Sequence, residues 1–180
     1  NQLVNLFPEF KDVSVDELVN MINKTECALI RTEADELTYP LHIIVRYEIE
    51  KEIAKGNVDY DKLPEVWADK YEEYLGVRPT NYKEGVLQDM HWSTGYLGYF
   101  PTYALGSAYA AQLYATMEKQ FDVEEALLTN HFEKITNWLK ENVHHYAASK
   151  SMAEIVEEVS GEPFNPDYYT DYLIKKYKKL

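Results

Sequence analysis

The chain has 180 residues, of which 46% are apolar and 27% charged, a composition that fits one soluble globular domain of ordinary size. There are 18 basic and 31 acidic residues, so the formal net charge is −13 at pH 7. This excess of carboxylates argues against nucleic acid or an anionic membrane as a partner, because both are bound through lysine and arginine. No apolar stretch reaches the ~20 residues of a membrane-spanning helix.

The single cysteine, Cys27, cannot form an internal disulfide, so the chain does not need an oxidising compartment. It lies beside apolar residues in "NKTECALIRT", and we expect a buried, unreactive thiol. No secretory signal is visible. The sequence begins at Asn1 rather than at a methionine, which is what a piece cut from a longer chain would show.

Helical signals run through the first half of the chain. Ser14 and Glu17 form a capping-box pattern before an apolar run. Apolar spacing predicts a longer helix over about 33–54, in which Pro40 displaces the start or introduces a kink. The stretch "LPEVWADKYEEYLG" predicts a third helix, with a proline near its start and Gly76 just past its end.

Residues 78–102 lack a clean period and predict irregular, packed structure with short helical pieces. Helices are then expected over 102–120, 123–128 and about 129–143, followed by one capped by Ser151 and a last one opened by Asn165 and Pro166. No strand pattern is convincing. The sequence therefore predicts an all-α fold, an irregular helical bundle forming a single domain over residues 1–180.

Metal-binding patterns are incomplete in this sequence. It contains five histidines but neither a His-Glu-x-x-His motif nor a Cys/His cluster. Glu141 and His145 are four residues apart, and a surface pair near a helix end is the better interpretation than a metal ligand pair. The chain alone therefore offers no complete zinc site.

The segment "IRTEAD" places Arg31 and Asp35 four residues apart. On a helix they would form an ordinary i, i+4 ion pair. The alternative is an arginine whose planar fork binds a substrate carboxylate, with the acids around it fixing its orientation.

The segment "GVLQDMHW" concentrates Gln88, Asp89, His91 and Trp92 within five residues. One interpretation is a buried polar network that satisfies its own hydrogen bonds. The other is the wall of a pocket, in which Asp89 holds the His91 ring in one tautomer.

The segment "GYFPTYALGSAYAAQ" begins with an aromatic collar and continues with small residues. Pro101 suits the first turn of a helix, so Tyr99 and Tyr103 are expected at its positive end, where anions are favoured. The small residues that follow predict close packing against neighbouring helices.

Taken in order, "IRTEAD", "GVLQDMHW" and "GYFPTY" resemble the thermostable carboxypeptidase family typified by carboxypeptidase Taq. Members of that family are zinc-dependent peptidases that remove single residues from peptide C-termini. Two of its signatures, I/V-R-x-x-A-D and G-x-x-Q-D-x-H-W, are matched at every fixed position. The resemblance extends over the whole chain and implies the C-terminal third of a larger, mainly helical, zincin-like peptidase.

The family's zinc motif and its His-Pro-Phe and Asp-x-Arg-x-Thr motifs lie upstream of I/V-R-x-x-A-D, and this chain has none of them. The resemblance therefore implies a part that is inactive alone and that binds no metal itself. It further implies substrate-binding roles for Arg31, Asp35, Gln88, Asp89 and Tyr99, and catalytic roles for His91 and Tyr103. Arg31 would bind the free C-terminal carboxylate of the peptide.

The resemblance also implies zinc or another divalent metal in the full-length enzyme, a peptide substrate, the missing N-terminal part as a partner, a homodimer and a cytoplasmic location. The alternative is a non-catalytic helical module for binding or dimerisation that derives from the same fold. A His-Glu-x-x-His motif upstream in the parent gene would favour the enzyme. A natural start near Asn1 would favour the module.

Overall fold

The structure, a computed structural model, describes residues 2–178. Over these residues the chain is all-α and contains no strand, which confirms the predicted fold class. The α-helices are α1 Gln2–Leu6, α2 Val15–Ile22, α3 Tyr39–Ala54, α4 Leu63–Leu75, α5 Pro101–Glu118, α6 Val123–Leu128, α7 Phe132–Asn142, α8 Met152–Ser160 and α9 Asp167–Tyr177. Short 3-10 helices lie at Pro8–Phe10, Arg31–Glu33, Tyr60–Lys62, Trp92–Thr94 and His144–Tyr146.

The described chain divides into two compact units, the first ending at Gly98 and the second beginning at Tyr99. The single domain over residues 1–180 stays a prediction. None of the described helices is both long enough and apolar enough to cross a membrane.

The first unit is built on the packing of α3 against α4. Its apolar core consists of side chains from these two helices, namely Val45, Ile49, Trp67, Tyr71 and Leu75. Helix α2, in contrast, buries none of its residues. The core therefore places one face of α3 and one face of α4 together, and the polar residues on those faces share its interior.

Local signals define the helix ends of this unit. The side chain of Ser14 accepts from the backbone N–H of Glu17, whose carboxylate accepts in return, so the predicted capping box is present. Pro40 lies in the first turn of α3, which means that it displaces the helix start instead of kinking the helix. Gly76 ends α4 in the left-handed conformation, with φ of +67°.

The second unit surrounds α5, which packs against α8 and α9. Its core contains Leu113, Met117, Val123, Trp138 and Val156. Helix α8 begins with a second capping box, between the predicted cap Ser151 and Glu154, and ends at Gly161.

One buried side chain, Gln112, ties an irregular segment of the second unit to α5. Its amide donates to the carbonyl of Pro163 at 3.1 Å and accepts from the N–H of Asn165 at 2.9 Å. It also donates to the hydroxyl of Ser160 at 3.1 Å. Gln112 is completely buried, so these hydrogen bonds form in the absence of competing water.

The prediction of close packing along the small residues of α5 holds for only part of the helix. Among them Ala108 is buried, whereas Gly106 and Ala110 are exposed. The remaining buried residues lie further along, at Gln112, Leu113, Thr116 and Met117. Burial on α5 is therefore concentrated in its second half, where α8 and the apolar core of the unit lie.

The expectation of a buried thiol at Cys27 is wrong, because Cys27 is exposed. Residues 24–28 form no regular element, so the apolar neighbours of Cys27 do not create a continuous apolar face. Cys27 instead lines an open pocket together with Lys24, Glu26 and Glu33.

Candidate functional site

Helix α3 carries a stripe of polar side chains in the interior of the first unit. His42, Arg46 and Glu50 are spaced four residues apart and therefore lie on one face of the helix. Their exposed fractions are 0%, 0% and 6%. Buried polar groups are costly unless they are hydrogen-bonded, so this stripe must find partners on neighbouring elements.

Arg46 is the most extensively bonded member of the stripe. Its Nε donates to Asp89 Oδ2 at 2.7 Å, and its Nη2 lies 2.5 Å from the same oxygen. Its Nη1 donates to the carbonyl of His42 at 2.7 Å and to the hydroxyl of Tyr71 at 3.0 Å. The guanidinium also lies over the ring of Trp67, 4.6 Å from its centroid. Arg46 is thus fixed in one orientation.

Asp89 joins this buried arginine to Arg31. Its other oxygen, Oδ1, accepts from Arg31 Nε at 3.1 Å and from Arg31 Nη2 at 2.8 Å. The Nη1 of Arg31 donates to the hydroxyl of Tyr39 at 3.2 Å. Arg31 is itself only 8% exposed. One carboxylate therefore orients two guanidinium groups, one through each of its oxygens.

Gln88 fixes the backbone on which Arg31 lies. Its amide oxygen accepts from the N–H of Arg31 at 3.0 Å, and its amide nitrogen donates to the carbonyl of Leu29 at 3.1 Å. A further hydrogen bond, 2.8 Å long, runs to the carbonyl of Glu84. Gln88 thereby holds the segment before the 3-10 helix in place. Gln88 and Asp89 thus belong to a half-buried polar network, which agrees with one of the two interpretations of their motif.

Asp35 does not adopt the helical spacing to Arg31 that the i, i+4 interpretation requires. Residues 31–33 form a 3-10 helix, and the extended backbone at Ala34 ends it. The carboxylate of Asp35 accepts from the backbone N–H groups of Glu26, Leu37 and Thr38 and from the Thr38 hydroxyl. Asp35 therefore anchors the approach to α3, while the carboxylate bonded to Arg31 is that of Asp89.

The charges of the cluster determine which groups are ionised. Burial alone would raise the pKa of Asp89, but Arg46 and Arg31 outweigh it, so the pKa lies below the usual value for aspartate. Burial lowers the pKa of His42 to about 4, and the positive charges of Arg46 and Arg31 act in the same direction. His42 is therefore neutral and Asp89 ionised at neutral pH.

Glu50, at the end of the polar stripe, holds the segment that contains His91. Its Oε1 accepts from the indole N–H of Trp92 at 2.9 Å and from the backbone N–H of Gly98 at 3.0 Å. His91 is partly exposed and immediately precedes the 3-10 helix Trp92–Thr94, and its carbonyl accepts from the N–H of Tyr96 at 2.9 Å. These contacts close the irregular loop around His91.

Tyr99 and Tyr103 belong to the second unit. Their rings meet edge to face with centroids 5.4 Å apart. The carbonyl of Tyr99 accepts from the hydroxyl of Thr102 at 2.7 Å, at the start of α5. The structure thus brings the two tyrosines together in one unit, and Arg31, Gln88 and Asp89 together in the other.

The described residues contain no group of three or more His, Cys, Asp or Glu side chains that could hold a metal ion. His145, for example, lies in a 3-10 helix with its ring against that of Tyr146, 3.8 Å between centroids. Residues 2–178 by themselves therefore supply no complete set of ligands for a metal ion.

Arg46 and the residues around it on α3 and α4, among them His42 and Tyr71, are absent from the sequence-based candidates. Arg46 lies in an otherwise apolar stretch of α3, where a single arginine attracts little notice. The signal that points to it is the four-residue spacing of His42, Arg46 and Glu50, which places three polar residues on one face of the helix predicted over about 33–54.

Comparison with known proteins gives a consistent family. The family model described as carboxypeptidase Taq (M32) metallopeptidase matches residues 1–177. Carboxypeptidase 1 of Bacillus subtilis is 48% identical over 173 residues, which cover 96% of this chain and 34% of that protein. Thermostable carboxypeptidase 1 of Thermus thermophilus is 40% identical over 176 residues, covering 97% and 34%.

Solved structures give the same result. The M32 carboxypeptidase from Deinococcus radiodurans has a TM-score of 0.94 and 34% identity, and the match covers 99% of this chain and 36% of that one. Metallocarboxypeptidase 1 of Trypanosoma cruzi has a TM-score of 0.92 and 36% identity, covering 98% and 38%. The chain spans about a third of the length of the curated relatives that it matches.

Proposed function

Because the chain belongs to the carboxypeptidase Taq (M32) family of metallopeptidases, we propose that it is the C-terminal part of a metal-dependent carboxypeptidase that releases single amino acids from peptide C-termini. Two of its relatives are named carboxypeptidases, and this chain corresponds to about a third of the length of each. The part contributed by this chain is substrate binding. The metal, which the family resemblance implies is zinc, is held by residues outside this chain. The chain alone is therefore inactive.

The observation that carries the substrate-binding role is the fixed guanidinium of Arg31. An exopeptidase must recognise a free carboxylate, and arginine presents a planar fork of donors that matches one. Asp89 and Tyr39 hold this fork in a single orientation, so little side-chain freedom is lost when a ligand binds. A carboxylate positioned by such a fixed cation would place the last peptide bond at a constant distance from the reacting centre.

The other candidates take roles that follow from their contacts. Gln88 and Asp89 are positioning residues, since one fixes the backbone of Arg31 and the other its side chain. Asp35 supports the same segment. Tyr99 contributes to substrate binding, and His91 and Tyr103 supply the imidazole and the hydroxyl that stabilise negative charge developing on the scissile carbonyl.

The partners of the complete enzyme are proposed on the same grounds. Helix α2 exposes Val15, Val19, Met21 and Ile22. Apolar surface of this kind favours association, and the N-terminal part of the enzyme and a second copy of it are the proposed partners. The cytoplasm is the proposed compartment, since the one cysteine forms no disulfide and needs no oxidising environment.

Two assays test the proposal. The isolated 180-residue chain, supplied with zinc and an N-blocked dipeptide, should release no amino acid; robust release would contradict the inactivity of the chain alone. In the complete enzyme, Arg31→Ala should raise KM about 30-fold or more for a substrate with a free C-terminus, because a hydrogen-bonded charge contact is worth about 2–5 kcal/mol.

The matched control is Arg78→Ala. Arg78 forms ion pairs with Asp69 and Glu72 at 2.7 Å each, but these pairs are on the exposed surface. We expect KM to stay within twofold of the unmodified enzyme. If Arg31→Ala leaves KM as unchanged as Arg78→Ala does, Arg31 does not bind the substrate carboxylate.

A further inference from the structure

Arg46 lies outside every sequence motif that the proposed function uses, yet it is the most deeply buried charge in the cluster. Its side chain is 0% exposed and its guanidinium is held by Asp89, the His42 carbonyl and the Tyr71 hydroxyl. Burying an arginine is costly, and apolar residues of similar volume often stabilise a protein as well or better. Stability alone therefore gives no reason for a cation at this position.

The arrangement around Asp89 suggests what the cation does. Oδ1 of Asp89 accepts from Arg31, and Oδ2 accepts from Arg46. The negative charge is thus shared between two guanidinium groups, and the carboxylate plane is fixed at both of its oxygens. If Arg46 were neutral, the whole charge of Asp89 would be available to Arg31, and the attraction of Arg31 for a second carboxylate would fall.

We propose that Arg46 is a positioning residue for recognition of the peptide C-terminus. It acts on Arg31 through Asp89, by fixing the orientation of that carboxylate and by taking up part of its charge. Arg31 then presents a rigid fork to the carboxylate of the substrate. This inference rests on the proposed function, because it assumes that Arg31 is the group that binds the peptide carboxylate.

The test is a pair of ligands of nearly equal shape, 3-phenylpropanoate and 3-phenylpropanamide. Neither ligand contains a peptide bond that the enzyme could hydrolyse, and only 3-phenylpropanoate carries a charge. Their dissociation constants for the complete enzyme are measured by calorimetry, and the ratio of the amide to the acid gives the preference for a carboxylate. A loss of packing alone would weaken both ligands and leave this ratio unchanged.

Arg46→Met should lower the preference about tenfold, the equivalent of roughly one charge-assisted hydrogen bond. Arg46→Lys keeps the charge but loses the fork and should lower it about threefold. Because Arg46→Met leaves Asp89 with a single partner and can impair folding, Arg46→Lys keeps the test decisive. A folded variant of either kind with an unchanged preference would overturn the proposal.

The double variant Arg46→Met/Asp89→Asn removes one positive and one negative charge together. We expect it to recover part of the preference that Arg46→Met loses, because no unshared carboxylate attracts Arg31, while the loss of the charged Asp89 contact that positions Arg31 keeps the recovery incomplete. If the double variant stays as low as Arg46→Met, the charge of Asp89 is not what Arg46 controls, and the proposal is wrong.

Two further variants separate the proposal from its premise. Arg78→Met removes a surface arginine by the same substitution and should leave the preference unchanged. Arg31→Met should abolish the preference. If it does not, the proposed role of Arg31 fails; if it does while Arg46 variants behave like Arg78→Met, only the inference on Arg46 fails.

Discussion

Asp89 and Arg31 are 58 positions apart in the sequence, yet one oxygen of Asp89 accepts hydrogen bonds from both Nε and Nη2 of Arg31. Both side chains are about 10% exposed or less. The pair connects the irregular segment before α3 with the irregular segment after α4, two stretches that have no regular backbone pairing of their own. The charge pair therefore links two segments of the first unit that are far apart in the sequence.

Asp89→Asn should lower the stability of the chain by about 3–5 kcal/mol. The substitution keeps the shape of the side chain but leaves the buried guanidinium groups of Arg46 and Arg31 without their shared counter-charge. Urea unfolding followed by circular dichroism would measure the change.

The matched control for this prediction is Asp69→Asn. Asp69 also pairs with an arginine, but its side chain is 64% exposed. An exposed pair contributes about 0–1 kcal/mol, so the control should be close to the unmodified chain. Equal effects of the two substitutions would show that burial of the Asp89 pair adds nothing to its strength.

Stability should fall as the pH drops from neutral towards 4, because of His42. The pKa of His42 is about 4 in the folded state, against an ordinary value of 6.5. Between these values the unfolded chain binds the proton and the folded chain does not, so acid favours unfolding. The contribution of neutral His42 to the free energy of unfolding is fully present above about pH 6.5. At pH 4 it has fallen by about 3 kcal/mol.

Urea unfolding at pH 7.5 and pH 5 would measure this slope before Asp89 begins to take up a proton. His42→Gln should flatten it. His131→Gln replaces an exposed histidine paired with Glu133, and it should leave the slope in place. An unchanged slope in His42→Gln would mean that another group is responsible.

The same substitution should have opposite effects at two glycines. Gly76 ends α4 with φ of +67°, whereas Gly106 lies inside α5. An added Cβ meets no atom within 4 Å at either position, so backbone conformation alone decides the outcome. Gly76→Ala should cost about 1 kcal/mol, because alanine is strained in the left-handed region.

Gly106→Ala should instead stabilise the chain by about 0.5–1 kcal/mol, because alanine restricts the unfolded chain and favours helix. Thermal unfolding of both variants would measure the two shifts. A change of the same sign at both positions would contradict the conformational explanation.

The helix boundaries could be predicted because their causes are local. Ser14 and Ser151 each bond a residue three positions on, and Gly76 and Gly161 each relieve the strain of a single left-handed position. Such signals are complete within a few residues of sequence. The predicted 33–54 helix started too early because residues 31–33 form a 3-10 helix and only Pro40 marks the first turn of α3.

The cluster could be predicted only in part, because its contacts are long-range. The motifs give Arg31, Gln88 and Asp89 as separate candidates, and the structure shows that they are in contact. One of the two interpretations of "IRTEAD" pairs Arg31 with Asp35, its neighbour in sequence, whereas the carboxylate bonded to Arg31 is that of Asp89. Arg46 is not among these candidates, because the spacing of His42, Arg46 and Glu50 places them on one face of α3 but its burial depends on the packing of α3 against α4.

Gln88 in the first unit and Gln112 in the second form the same pattern of hydrogen bonds with the backbone. Gln88 donates to the carbonyl of Leu29 and accepts from the N–H of Arg31; Gln112 does the same with Pro163 and Asn165. In both cases the side-chain amide takes the position that the peptide group of a neighbouring β-strand would occupy. An amide can do this because it carries a donor and an acceptor side by side, which a carboxylate lacks. The described residues contain no sheet, yet at two places a side-chain amide forms the pair of hydrogen bonds that a strand would form. Each pair fixes the position of a segment that lies outside the α-helices.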